Sequence, residues 1–114
     1  MDFKETEERV KEITNKTAPD YTIESKQDQE ILAKTVKLSE EVGELCNDVL
    51  GILKLQRQSK LDNFDKDNIY QEFADVIISL MSLASTAGVD LERAIKDKLG
   101  KIEKRIELEN TTEN

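Results

Sequence analysis

Apolar positions in this chain recur at helical rather than strand spacing along most of its length. The longest run carries Ile31, Leu32, Leu38, Val42, Leu45, Val49, Ile52 and Leu53, and its 38-42-45-49-52 series steps by three or four residues. That step lines one face of an α-helix, whereas a strand would need alternation. It predicts a long helix from a cap at Ser25 to about Gln58. A second stripe of Ile69, Phe73, Val76, Ile77, Leu80, Ala84 and Ala87 predicts a helix that starts near Asp67 or Asn68 and stops at Gly88. Asp90 is placed to cap a further helix bearing Leu91, Ala94, Ile95, Leu99, Ile102 and Ile106. Ahead of these, Phe3, Val10 and Ile13 sit at looser spacing among charges, so a peripheral helix over about 3–16 ends before Thr17-Ala18-Pro19-Asp20.

Residues 59–67 lose the periodicity and are rich in Asp and Asn, which favour turns and caps; they read as the main loop. No internal repeat or linker divides the chain. The expectation is a single all-α domain over 1–114, with a peripheral helix and loop at 1–24, core helices at 25–108 and a disordered polar tail at 109–114. Gly43 interrupts the long stripe at roughly 1 kcal/mol relative to Ala, explained either by a close approach of backbone or ligand or by a tolerated surface position.

Composition narrows the chemistry. With 37% hydrophobic and 37% charged residues but only 4% aromatic, a lone copy would bury a thin core, so association with a second copy is expected. A net charge of -8 argues against nucleic acid and anionic membranes as partners, and it means that an acidic substrate needs a metal bridge. No stretch approaches the ~20 apolar residues of a membrane span, and Met1-Asp2-Phe3-Lys4-Glu5 lacks the apolar core of a signal peptide; the expected location is cytoplasmic. One cysteine, Cys46, and no histidine exclude an internal disulfide, a Cys/His zinc site and a Ser-His or Cys-His nucleophile pair within one chain. Any metal must be held by oxygen.

Two carboxylate pairs stand out: Glu41 and Glu44 on the long helix, and Glu72 and Asp75 on the next. Members of each pair are three residues apart and share a helix face. On a helical wheel Glu41 lies roughly 70° from the centre of the Leu38/Val42/Leu45/Val49 stripe and Glu72 roughly 90° from that of Phe73/Val76/Leu80, so both border the core. Where the helices pack flank to flank, four carboxylates converge and need cations to relieve their repulsion. Hard oxygen ligands select magnesium, with manganese as a substitute. In a chain with 25 acidic residues, a solvated acidic face is the plain alternative.

The runs Leu38-Ser-Glu-Glu-Val-Gly-Glu-Leu45, Glu72-Phe-Ala-Asp-Val-Ile77 and Gly88-Val-Asp-Leu-Glu92 resemble the all-α NTP pyrophosphohydrolases: MazG, the dimeric dUTPases and phosphoribosyl-ATP pyrophosphohydrolase. The resemblance covers roughly residues 30–105, with 27 residues between Glu44 and Glu72. It implies a four- to five-helix MazG-type bundle assembled as a dimer or a dimer of dimers, with Glu41, Glu44, Glu72 and Asp75 as Mg2+ ligands. It also implies cleavage between the α and β phosphates of a nucleoside triphosphate, giving NMP and pyrophosphate, in a housekeeping or nucleotide-pool-sanitising role. Glu40 or a metal-binding glutamate such as Glu41 would take the proton of the attacking water. Lys98 and Arg105, two turns apart on the last helix, match the family's phosphate-binding cations, although several relatives carry Asn where this chain has Ile102. Opposition to acids such as Asp97 and Glu109 explains them equally well. Without tryptophan, stacking on a base would fall to Phe64, Tyr70 or another aromatic, while Phe73 reads as core. A helical dimerisation or regulatory module without turnover is the alternative from another class.

Overall fold

The computed structural model describes residues 1–18, 23–55 and 68–112. Among them are four helices and no strand: α1 Phe3–Thr17, α2 Lys26–Ile52, α3 Asn68–Ala87 and α4 Leu91–Thr112. The predicted loop at 59–67, its Phe64, and the last two residues of the predicted tail lie outside the described residues. No single described helix is long and apolar enough to cross a membrane.

Side-chain oxygens satisfy the first amides of three helices. Asp2 Oδ1 accepts from the Glu5 N–H at 2.8 Å, Ser25 Oγ from Asp28 at 3.2 Å, and Asp90 Oδ1 from Arg93 at 3.2 Å. At its other end α2 stops at Ile52, earlier than the apolar spacing suggests. The Leu55 N–H donates to the Leu50 carbonyl at 2.9 Å and the Lys54 N–H to that of Gly51 at 3.1 Å, a Schellman turn that places Lys54 at φ 57. α3 ends with the same bonds, Val89 to Ala84 at 2.8 Å and Gly88 to Ser85 at 3.3 Å, with Gly88 at φ 74 as the sequence predicts. α4 continues to Thr112, past Glu109, where the sequence predicts a frayed polar tail.

α2 and α3 form an antiparallel hairpin, and no other helix pair among the described residues packs to a comparable extent. Near one end Gln27 Nε2 donates to the Thr86 carbonyl at 3.1 Å and Lys34 Nζ donates to Thr86 Oγ1; near the other, Asp48 acts on Glu72. The seam has a heptad rhythm: Ile31, Lys34, Leu38, Glu41, Leu45 and Asp48 on α2, and Ile69, Glu72, Val76, Ser79, Leu83 and Thr86 on α3, all buried or half-buried. Every second layer is therefore polar.

This seam is not the apolar stripe read from the sequence. At 100° per residue, it is rotated by roughly 40° on α2 and roughly 60° on α3, in each case towards the carboxylates. Glu41, expected at the border of the core, lies at its centre with 7% exposure, while Phe73, expected inside, is 53% exposed. Ile77 and Leu80 follow Phe73 outward, forming an apolar flank that is exposed among the described residues. The Cα radius of gyration is 21.5 Å, against about 13 Å for a compact chain of 114 residues.

Candidate metal centre

The rotation of the seam brings acids from two helices together. One carboxylate oxygen from each of Glu41, Glu72 and Asp75 lies within 4.8 Å of the others. Glu41 Oε1 receives the Lys37 ammonium at 2.8 Å, one helical turn away. Its Oε2, together with Glu72 Oε2 and Asp48 Oδ2, is buried with no hydrogen-bond partner. A buried carboxylate oxygen with no donor loses its water without compensation.

Glu72 registers this in its proton affinity. Partial burial, then the charges of Asp48, Glu44, Asp75 and Glu41, push its carboxyl above the usual carboxylate value. Lys37 shows the converse: the hydrogen bond and charge of Glu41 hold its ammonium above its ordinary pKa, with Glu40 and Glu44 adding to the pull and burial opposing it. The chain thus supplies one cation to one edge of a site where several anions meet.

The donor set fits a divalent cation. All ligating atoms are hard carboxylate oxygens, two buried ones lack a donor, and Glu41 and Glu72 are held in the seam rather than on mobile loops. Of the four ligands expected from sequence, three converge in this way. Glu44 is exposed and outside the close group, although its charge reaches Glu72. Glu40 is exposed. Lys98 and Arg105 are exposed on α4, which among the described residues does not pack along the hairpin, so the structure does not bring them to the carboxylates. Asp97 pairs instead with Arg93, at 3.6 Å. Tyr70 is exposed.

Four polar residues of the seam escaped the sequence reading, Lys34 and Asp48 on α2 and Ser79 and Thr86 on α3, as did the exposed Lys37 beside it. The signal was present, since Lys34, Glu41 and Asp48 repeat at steps of seven and share one helical face. Gly43, by contrast, is exposed, with open space where the methyl group of an alanine would stand, so it is a surface glycine in this protomer.

The family model of the MazG nucleotide pyrophosphohydrolase domain matches residues 27–107, from the first turn of α2 into the last turns of α4 and across all the carboxylates described above. No curated protein and no solved structure matches the chain.

Proposed function

The chain belongs to the MazG nucleotide pyrophosphohydrolase domain family, and from that premise we propose that it hydrolyses a nucleoside triphosphate to the monophosphate and pyrophosphate with Mg2+. The observation that carries this reading is the convergence of Glu41, Glu72 and Asp75 around buried oxygens without donors. Glu44, on the same face of α2 as Glu41, would complete the ligand set. Mg2+ there neutralises the triphosphate and makes a bound water more acidic.

The chain's own residues do the rest. The carboxylates would hold the cation between α2 and α3 and so orient a triphosphate relative to the two helices. Water attacks the α-phosphorus, the bond to the bridging oxygen breaks, and that oxygen leaves with pyrophosphate. The proton lost by the water passes to a carboxylate oxygen of the cluster. Glu40, exposed and next to Glu41 in sequence, is the alternative acceptor of that proton.

A homodimer belongs to this proposal. Phe73, Ile77, Leu80 and Met81 on α3 and Ile95, Leu99 and Ile106 on α4 are all exposed, and a second copy of the hairpin would cover such a flank. Lys98 and Arg105 then reach the departing pyrophosphate from α4 of the assembled dimer.

The test is to incubate the protein and Mg2+ with a panel of standard, modified and deoxy NTPs and phosphoribosyl-ATP, and to resolve products by 31P NMR. Pyrophosphate with the monophosphate is expected. Diphosphate with orthophosphate, or no turnover by a folded protein, would reject the reading in favour of another reaction or an interaction module.

A further inference from the structure

One acid of the hairpin seam lies outside the close group of three. Asp48 is seven residues from Glu41 on α2, two turns or about 10 Å along the axis, and on the same face. It is half-buried, and its Oδ2 is shut off from solvent with no hydrogen-bond partner among the described residues. Leucine at this heptad position would bury apolar surface at no such cost, as Leu38 and Leu45 do in the neighbouring layers. A charge kept where an apolar side chain would be more stable points to a use other than folding.

Glu72 connects Asp48 to the close group. A Glu72 oxygen lies within 4.8 Å of oxygens of Glu41 and Asp75, and Glu72 Oε2 is, like Glu41 Oε2, buried without a donor. Glu41 itself is only 7% exposed, so the group is more than a solvated acidic face. Of the charges acting on Glu72, that of Asp48 is the largest, ahead of Glu44, Asp75 and Glu41. Glu72 therefore stands between the acids that meet it at the proposed cation site and one that presses on it from the next layer of the seam.

We infer that Asp48 is a positioning residue of the cation site: its charge, held in the seam behind Glu72, opposes the packing of the metal-free hairpin and strengthens the hold on a divalent cation. The inference rests on the metal reading above. Both effects have one cause. Without the cation, the Asp48 and Glu72 carboxylates repel across the seam; with it, both add to the field that retains a doubly charged ion. An exposed acid could not make the same trade, because water and salt would screen it.

The experiment pairs Mn2+ binding, read by electron paramagnetic resonance, with melting in EDTA, on wild type, Asp48→Asn, Asp48→Leu, Asp75→Asn and Asp97→Asn. Asp97, which pairs with Arg93 on α4 at 3.6 Å, controls for net charge. Both Asp48 variants should bind Mn2+ about tenfold more weakly and melt about 4 °C above wild type in EDTA, and Asp97→Asn should show neither change. Asp48→Leu keeps the test decisive if asparagine disturbs the fold. The opposite signs matter, since a merely structural residue would lose binding and stability together. Weaker binding with lower stability, or wild-type affinity in both Asp48 variants while Asp75→Asn loses binding, would overturn the role of Asp48 and leave the cation site standing. A wild type that binds no Mn2+, or an Asp75→Asn variant that binds as well as wild type, would overturn the cation site itself and this inference with it.

Discussion

Replacing Glu72 by Gln tests whether the carboxylates are held together against their own repulsion. Without metal, burial and neighbouring acids raise the Glu72 pKa above the ordinary 4.5. Between 4.5 and that raised value the folded chain holds a proton which the unfolded chain has lost. Stability therefore falls as pH rises through this window, and the full penalty is present above it. Glu72→Gln removes the charge but keeps the shape, so the variant melts higher than wild type in EDTA at neutral pH and lacks this part of the pH dependence. Magnesium reverses the order. At a free concentration a hundredfold above its dissociation constant it adds about 2.7 kcal/mol to wild type. With unfolding entropy near 2.1 cal/mol/K per residue over 114 residues, Tm rises by about 11 °C. A ligand loss that weakens the metal a hundredfold leaves about 0.4 kcal/mol, or about 2 °C, at the same concentration. Scanning calorimetry with EDTA and with Mg2+ over a pH series reads all of this. A Glu72→Gln variant that is less stable than wild type in EDTA at neutral pH, yet keeps the full magnesium shift, would show that Glu72 is neither strained by its neighbours nor a ligand.

Other substitutions report on the rest of the structure. Gly43→Ala, on an open helical surface, should stabilise the protein by up to about 1 kcal/mol in urea melts. Gly88→Ala, at φ 74, should destabilise it by about 1 kcal/mol, and Lys54→Gly, at φ 57, should move stability the other way by a similar amount. Phe73→Glu on the uncovered flank should convert a dimer to a monomer in sedimentation velocity while leaving the helical circular dichroism largely intact; an unchanged sedimentation coefficient would remove this flank from the interface.

The caps and stops of the helices were legible because they depend on neighbours in sequence: Ser25, Gly88 and Asp90 each act within a turn. The common face of each carboxylate pair is legible for the same reason, since three-residue spacing fixes it whatever packs against it, but not that Glu44 stays outside the close group. The orientation of α2 and α3 was not. A helix that meets two neighbours has one broad apolar surface in its sequence, and the wheel centre falls between them. Phe73 therefore looked like the core of the hairpin, and Glu41 like its border, when Glu41 sits in the seam and Phe73 on the flank left for something else. Lys34 and Asp48 were hidden because buried charges look like surface charges until the partner helix is in place. The early end of α2 at Ile52 was obscured by Lys54, which occupies a left-handed position where glycine would have marked the stop.

On the proposed reading, the acids of α2 and α3 form the divalent-cation site of a pyrophosphohydrolase. The most direct test of that reading is the rate of pyrophosphate release from the best NTP as Mg2+ is titrated from EDTA to saturation, in wild type, Glu41→Gln and Asp75→Asn. A cation held by these acids predicts no release in EDTA, a saturable rise in wild type, and rates at least a hundredfold lower in both variants at the same Mg2+. Release that is indifferent to EDTA, or variants that match the wild-type curve while folded, would contradict it.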